Sequence, residues 1–407
     1  MDVATTSIPL RRNRDFQLMW IGGMLAGLGS VIGNFALPLL VLQETGSAAK
    51  AGLVGSVSAA TLLIVIIPAG AVADAVERRR LMMGCQLVGT AIAVGLSVTV
   101  LGGHPALMPI LIATAVIAVL GSLYTPAATA LLRAAVPADQ LGLALSRLQA
   151  RTAAVQIAGP LAGGVLFALS PALPLTIRAG ALLASVACLL AVRARSVPAP
   201  TADGPLTLSH LTGGLRFVWR QRYLRVILIV FGAGLSSAFS AVMLVALTTS
   251  VQSDPSGRSS GALLALTAGG SLLGALLAPR LRTPDHPERV LTLTCWTSAV
   301  IVPLLAAFDM PLAMGALLGV VMLIAAVGHV AFEVEVVRLV PGDLIGRAEA
   351  AMIFISMAAG PVGPLTGGLL IDRFGHAVAF LMLGIVIAVL ATVLTLWLRR
   401  CTPGGSG

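Results

Sequence analysis

The sequence predicts an all-α membrane protein in which twelve transmembrane helices form two pseudo-symmetric six-helix lobes. Three observations predict this class: an apolar composition, apolar runs of membrane-spanning length, and an internal repeat. Of the 407 residues, 57% are hydrophobic and 10% are charged, with a mean hydropathy of +1.00. Because a soluble domain carries about 25% charged residues, a soluble class is excluded. The runs do not alternate with polar residues, which favours helices over a membrane β-barrel.

Twelve apolar runs are each near or above the roughly 20 residues that a helix needs to cross a bilayer. The first follows RRNRDFQLMW and lacks a small-residue cleavage site, so we interpret it as an uncleaved span. A polar stretch at 193–223 predicts a cytoplasmic linker between the sixth and seventh runs. The runs lie near 17–43, 51–73, 81–102, 105–132, 145–169, 172–192, 224–250, 260–279, 289–308, 310–337, 348–371 and 375–398.

Basic residues are distributed unequally between the gaps. If the N-terminus is cytoplasmic, the outside gaps hold only Lys50, Arg258 and Arg373, whereas most other basic residues fall in the inside gaps and tails. This bias predicts a multi-pass protein of the cell (inner) membrane with both termini cytoplasmic. The net charge of +10 follows from the same bias and from anionic lipid surfaces, so we expect no nucleic-acid partner.

The two halves of the chain share motifs at one spacing. GPLAGG at 159–164 matches GPLTGG at 363–368, an offset of 204 residues. The same offset relates VPADQLG to VPGDLIG, and the pair Gly70 and Ala71 to a second Gly-Ala pair. We therefore predict a duplication into an N-terminal lobe, 1–192, and a C-terminal lobe, 224–407. Parallel six-span repeats are typical of alternating-access transporters.

The gap between spans two and three, GAVADAVERRR at 70–80, resembles the signature loop of the major facilitator superfamily. RNRDFQLMW, PLLVLQETGSAAKAGLVG, AGPLAGG, RLVPGDLIGRAEA and GPVGPLTGGLLIDRFG are similar to segments of its drug-exporter branch, which includes macrolide-efflux and enterobactin-exporter proteins. The resemblance covers nearly the whole chain. It implies the major facilitator fold and secondary active export, with proton antiport as the expected driving process.

The resemblance also implies a gate at the cytoplasmic surface. In the family, the aspartate of the signature loop makes contacts across the lobes, and this role carries over to Asp74, with span eleven near Arg347 as its contact. Gly70 would allow close helix approach, and Arg78 would pair with Asp139. The alternative is that the arginine block at 78–80 only sets topology, which we favour for its last two members.

The repeated Gly-Pro motifs have two interpretations that are not exclusive. A proline and paired glycines can bend a helix or let two helices pack tightly. By the resemblance they would form a hinge or an ion-leak seal between the lobes; otherwise they serve helix packing alone. The residues concerned are Gly159, Pro160, Gly163, Gly164, Gly363, Pro364, Gly367 and Gly368.

Ionisable groups inside the spans are few and mark candidate proton sites. His329 and Glu333 lie four residues apart, hence on one face of span ten. A carboxyl group facing a central cavity there could take up and release a proton during transport, and the histidine could share it. The alternatives are Glu335 or Glu349 as the coupling residue, Glu333 as a hydrated interface residue, or no proton coupling.

Polar and aromatic residues at mid-span depth are candidates for the substrate cavity. Arg151 lies about a turn deeper than Arg147 in span five and could meet an anionic substrate group or one of the glutamates. Arg178 fits a structural pair or a side chain that reaches the interface. By the resemblance, spans one, four, seven and ten line the cavity. The candidate lining residues are Asn34, Tyr124, Arg151, Gln156 and Phe239.

Enzymatic motifs are absent from the sequence. There is no HExxH, P-loop or GxSxG pattern, and the four cysteines lack metal-ligand spacing. We therefore expect no catalytic residues, no metal and no cofactor other than the proton gradient. The expected partners are a small-molecule substrate, protons and the lipid bilayer, and the expected state is a monomer. A multidrug exporter is favoured over a dedicated exporter of one endogenous product, such as a siderophore or antibiotic, and over a membrane enzyme or lipid-handling protein.

Overall fold

The computed structural model describes residues 10–103, 105–194, 216, 219–254, 256–280, 287–339, 352 and 354–401. All regular secondary structure in these residues is helical, which confirms the predicted class. The long helices are α1 (Arg14–Thr45), α2 (Ala48–Ala75), α3 (Arg78–Leu101), α4 (Leu107–Ala135), α5 (Leu141–Leu169), α6 (Leu173–Ala191), α7 (Arg222–Ser253), α8 (Arg258–Leu277), α9 (Pro287–Leu304), α10 (Pro311–Leu339) and α11 (Val362–Cys401).

Eleven helical segments among the described residues are long and apolar enough to cross a membrane. The last, Phe354–Leu398, has 45 residues, about twice what one crossing needs. Gly375 interrupts α11 with φ +78° and ψ 172°, a conformation open mainly to glycine. The break divides α11 into a first part, 362–374, and a second part, 376–401. The second part matches the last predicted run, 375–398, and the first part overlaps the run before it, 348–371. The described residues thus provide eleven or twelve apolar helices, in agreement with the predicted class.

Contacts between residues divide the chain into two compact units. The first unit comprises 1–36 and 64–205, and the second comprises 37–63 and 206–407. Within the first unit, α3 packs against α4 and α6; within the second, α8 packs against α10, and α7 and α9 pack against α11. The end of α1 and the first half of α2 thus group with the second unit. The lobes 1–192 and 224–407 were predicted from the internal sequence repeat and not from contacts. They stay a prediction.

Side chains at the start of α1 form hydrogen bonds with the main chain at the end of α4 and just after α6. The Asn13 side chain accepts a hydrogen bond from the Phe16 amide at 3.1 Å, which caps the start of α1, and donates to the Ala135 carbonyl at the end of α4 at 2.9 Å. Asp15 accepts from the Ala194 amide at 2.8 Å. Because these bonds satisfy main-chain groups left unpaired at helix ends, they fix α1 against α4 and the residues after α6.

Candidate functional site

The first unit contains a small, partly open cavity among α1, α3, α4, α5 and α6. We call it the arginine pocket and define it by five polar lining residues: Asn34, Gln86, Tyr124, Arg151 and Arg178. Its volume is about 270 Å³, and the rest of its wall consists mainly of small and apolar residues of the same helices. The pocket therefore brings together three of the residues predicted to line a substrate cavity, and two more polar residues.

Arg178 is held in place by α1. Its side chain is only 4% exposed, and its Nη1 donates to the Asn34 Oδ1 at 2.7 Å. Gly33 makes room for it, because a Cβ at that position would come within 2.5 Å of the Arg178 Cδ. The Nε of Arg178 has no hydrogen-bond partner among the described residues. Arg178 is thus a buried structural pair, and the alternative of a side chain reaching the interface is wrong.

Arg151 approaches α1 about three turns closer to the N-terminus, at Gly23 instead of Gly33. Its Nη1 donates to the Trp20 carbonyl at 3.2 Å. The guanidinium lies directly against Gly23, where any Cβ would overlap Nη1. A guanidinium carries five N–H donors, so this main-chain contact orients the group while leaving donors for another acceptor. Gly23 of α1 thus leaves the space that the Arg151 guanidinium occupies.

Gln86 is the most deeply buried neutral group of the arginine pocket. It is 3% exposed, and neither its Nε2 nor its Oε1 makes a well-formed hydrogen bond within the described residues. The Tyr124 hydroxyl lies beside Gln86 and Ser185, and Arg151 is close to Tyr124. The Ser185 Oγ is likewise buried and unpaired within the part of the chain described. Buried polar atoms without protein partners are unusual, and these groups are available to bind a polar ligand.

The arginine pocket is electrically one-sided. Two guanidinium groups line it, and no aspartate or glutamate of the described part of the chain is among its lining residues. Arginine stays protonated in proteins, so both charges persist in a region of low polarity. A buried cation without an opposite charge is costly, and an anion bound in the pocket would lower that cost. Chemically, the site is suited to accept a negatively charged oxygen group.

Two predicted lining residues lie elsewhere. Gln156 is on α5 but is exposed and is not part of the arginine pocket. Phe239 is on α7, in the second unit. Gln86 was not predicted from the sequence, and Arg178 was predicted only as a structural pair or as a side chain that reaches the interface. The available signal was in the composition: each is a single strongly polar residue inside an apolar run, the pattern that marks a functional position in a membrane helix.

The predicted proton-coupling residues lie on α10. His329 is exposed and meets Phe332 edge-on, with 6.3 Å between ring centres. Glu333 and Glu335 follow on the same helix, but their side chains lie outside the described part of the structure, as does all of Glu349. Their roles stay predictions. Within the described residues, no group of three or more His, Cys, Asp or Glu side chains could hold a metal ion.

The signature loop is partly described. A Cβ on Gly70 would meet no described atom within 4 Å, so the expected close helix approach is not seen there. Asp74 lies in α2, but its side chain, like the whole of Arg347, is outside the described residues. Arg78 begins α3, and Asp139 lies in the short helix Ala138–Gln140. The gate and the Arg78–Asp139 pair stay predictions.

The arginines after Arg78 have defined partners. The Arg79 Nε and Nη2 donate to the carbonyls of Leu189 and Leu190, at 2.8 and 2.7 Å. These carbonyls belong to the last turn of α6, where no following helical turn supplies the usual N–H donors. Arg79 therefore caps the C-terminal end of that helix. Arg80 pairs with Glu77 at 2.7 Å. Arg79 therefore does more than set topology, a contact that the sequence alone did not indicate.

The two Gly-Pro motifs lie at close helix contacts within their units. In the first unit, a Cβ on Gly159 would overlap Val31, and one on Gly163 would lie 2.9 Å from the Phe35 ring, so α5 packs directly on α1. In the second unit, a Cβ on Gly367 would lie 2.7 Å from the Ala241 carbonyl, so α11 packs on α7. These contacts support the packing interpretation, whereas the hinge stays a prediction.

A further polar contact joins α2 to α11 inside the second unit. Asp372 accepts hydrogen bonds from the Ser47 hydroxyl at 2.6 Å and from the amides of Ala48 and Ala49 at 2.8 and 3.0 Å. We call this the Asp372 cap. A carboxylate at a helix N-terminus is favoured by unpaired amides and by the helix dipole. The cap lies at the helix ends that face outside if the predicted orientation holds.

These features define the class of the protein. Apolar helices satisfy their own main-chain hydrogen bonds in a bilayer, and a pocket with charged side chains among the helices of one unit is a feature of membrane transporters rather than of membrane anchors. The chain belongs to the Major Facilitator Superfamily, whose family model matches residues 19–334. It is therefore a multi-pass membrane transporter of small molecules and not an enzyme.

Relatives and solved structures agree with this assignment. The chain is 30% identical over 395 residues to the multidrug efflux pump Tap of Mycolicibacterium fortuitum, covering 92% of this chain and 94% of that protein. It is 28% identical to the protein of the same name from Mycobacterium tuberculosis (strain ATCC 25618 / H37Rv), covering 91% and 90%. The crystal structure of the nucleoside transporter NupG shares the fold, with a TM-score of 0.74 at 14% identity and coverage of 95% and 98%.

Proposed function

We propose that this protein exports small amphiphilic molecules across the cell (inner) membrane by proton antiport and alternating access. The observation that carries the proposal is the similarity to multidrug efflux pumps over more than nine-tenths of this chain. The apolar spans agree with a cargo that partitions into the bilayer before it is captured. The basic residues of the inside gaps support cytoplasmic termini.

The driving force in this proposal is the proton gradient, with no cofactor. Glu333 would carry the proton, and His329, four residues earlier on the same face of α10, would share or tune it. The protein would function as a monomer embedded in lipid. Alternating access would be gated on the cytoplasmic side by Asp74, in the loop that gives the family its signature.

Dye uptake by everted membrane vesicles tests this proposal. An exporter moves its cargo into the lumen of such vesicles, so an imposed acid-inside gradient should drive accumulation of an amphiphilic dye. Collapse of the gradient with a protonophore should release it. Vesicles without the protein are the control. Uptake that ignores the gradient would refute proton antiport, and absence of uptake for cationic, neutral and anionic dyes alike would refute a broad exporter.

A dedicated exporter of one endogenous product is the second candidate. The arginine pocket favours it, because a fixed set of polar groups recognises one chemical feature better than a purely apolar cavity does. A siderophore or an antibiotic made by the same cell would be a product of this kind. Deletion of the gene, followed by comparison of the metabolites in the medium, distinguishes the two: loss of a single compound together with failed dye uptake supports the dedicated exporter.

A further inference from the structure

We infer that the arginine pocket binds a carboxylate or comparable acidic group of the transported molecule. The inference rests on the proposed export function and names a feature of its cargo. It assigns the first unit a recognition site for negatively charged oxygen, in addition to any apolar surface that holds the rest of an amphiphilic molecule.

The charged side chains that are seen to line the arginine pocket, Arg151 and Arg178, are both positive. Arg178 is almost fully buried, Arg151 lines the same cavity, and among the residues that the structure describes no carboxylate side chain lines it. In other buried sites, an arginine is paired with an acid or binds an anionic ligand. Here the partner of Arg178 is a neutral amide, Asn34. The opposite charge therefore has to come from outside the lining residues.

The arginine pocket also contains hydrogen-bond donors that match the needs of a carboxylate. A carboxylate accepts about four hydrogen bonds and donates none. The pocket offers the unpaired Nε of Arg178, the remaining N–H groups of Arg151 and the unpaired amide of Gln86. The contacts of the two guanidiniums with Asn34 and the Trp20 carbonyl hold them in place without an acid. Such fixed donors bind without a large loss of side-chain entropy.

The size of the pocket limits what enters it. Its 270 Å³ equals the liquid volume of about nine water molecules. Pockets that enclose a drug-sized molecule run from about 300 to 1,000 Å³. A carboxylate with its neighbouring atoms fits, whereas a whole amphiphile does not. The acidic group would thus be recognised here while the apolar remainder stays outside the pocket.

Matched acid and amide probes test this inference by binding rather than by transport. Purified protein in a neutral detergent is titrated with N-dansyl-leucine and its carboxamide, and with naphthylacetic acid and its carboxamide, using probe fluorescence. We expect the acids to bind about 10-fold or more tightly than their amides, since a hydrogen bond to a charged group contributes about 1.5–3 kcal/mol. If no acid binds more tightly than its amide, the inference is wrong.

Variants locate the binding. Arg151→Gln should reduce acid binding about 10-fold and leave amide binding unchanged, and Gln86→Leu should reduce it less. Arg147→Gln is the matched control, because Arg147 lies one turn away on α5 and does not line the arginine pocket. An equal loss in Arg147→Gln and Arg151→Gln would show a general charge effect and overturn the assignment. Arg178→Gln should also reduce acid binding. If it does not fold, Arg178→Lys, which retains the buried charge, should still bind the acid more tightly than its amide.

Competition distinguishes cargo from other sources of the same chemistry. Inorganic phosphate and a short-chain phosphatidylglycerol are added to the protein with bound N-dansyl-leucine. Displacement by either at a lower concentration than by unlabelled N-acetyl-leucine would assign the pocket to an inorganic ion or a lipid headgroup, and so overturn the inference. Because the assay measures binding alone, failure of proton-driven uptake would refute the proposed function without affecting this result.

Discussion

Replacing Asp372 should shift the protein between two arrangements of its outer helix ends. In alternating access, the outer ends of the two sequence halves separate in one state and meet in the other. The Asp372 cap joins the start of α2, from the first half, to the end of the first part of α11, from the second. We therefore expect the cap to stabilise the state in which these ends are together.

The magnitude follows from the three hydrogen bonds of the Asp372 cap. Loss of a helix N-cap costs about 0.5–2 kcal/mol, and loss of the negative charge at the helix start about 0.3–1 kcal/mol. Asp372→Asn keeps an oxygen acceptor but loses the charge, so we expect about 1 kcal/mol. Asp372→Ala loses all three bonds, and we expect about 2 kcal/mol. Since 1.4 kcal/mol is a factor of ten, the equilibrium should shift about 5-fold and about 30-fold.

The assay is double electron–electron resonance, which measures the distance between two spin labels. Spin labels at positions 44 and 373, both exposed in the structure, report the separation of the outer ends in a background in which the four cysteines are replaced. The long-distance population should grow in the order wild type, Asp372→Asn, Asp372→Ala. Asp254→Asn is the matched control, because the hydrogen bonds that Asp254 accepts among the described residues come from Ser256 and Ser259, at the start of the helix that follows it, α8. A distance distribution of Asp372→Ala that coincides with wild type would refute the reasoning.

Four further predictions follow. Gly159→Ala should destabilise the protein by about 1–3 kcal/mol through overpacking, whereas Gly95→Ala, with open space around its Cβ position, should not, as thermal unfolding would show. Hydrogen bonds from Ser256 and then Ser259 lower the pKa of Asp254, so Asp254→Asn should lose stability at neutral pH, and the difference from wild type should vanish as pH falls below the usual aspartate pKa of about 4. Glu333→Gln should abolish gradient-driven uptake but retain probe binding, and full uptake would remove Glu333 from the mechanism. Asp74→Asn should slow uptake at unchanged expression, and an unchanged rate would contradict its gating role.

The fold could be predicted because membrane helices are specified by local properties. A run such as 105–132 is apolar throughout, and the bilayer requires it to be helical, so α4 (Leu107–Ala135) begins and ends within three residues of the expected bounds. The turn at Gly375 also follows from local sequence, since a glycine separates two apolar runs in an otherwise continuous helix. For these elements, no knowledge of tertiary contacts was needed.

The candidate site could be predicted only in part, because helix rotation and depth depend on tertiary packing. Polarity marked Arg151 and Tyr124, but whether Gln156 turns towards the same cavity depends on how α5 rotates against α1. That rotation is set by Gly159, which lets Val31 approach. The Asp372 cap was missed for a related reason: the sequence does not show that the start of α2 lies beside the end of a helix 324 residues later.

The two repeated halves of the chain share their helix-packing motifs but differ in the polar residues inside their helices. Both Gly-Pro motifs occupy equivalent tight contacts, α5 with α1 and α11 with α7, so packing is shared by the two halves. The arginine pocket is not shared. At the offset of 204 residues, Gln86, Tyr124, Arg151 and Arg178 correspond to Val290, Gly328, Ile355 and Met382. Conversely, His329 and Glu333 correspond to Thr125 and Thr129. Fixed positive charge thus lies in the first half and titratable groups in the second. If the proposed roles hold, cargo recognition and proton binding reside in different halves, and substitutions in one half should alter binding selectivity without changing the pH dependence of uptake.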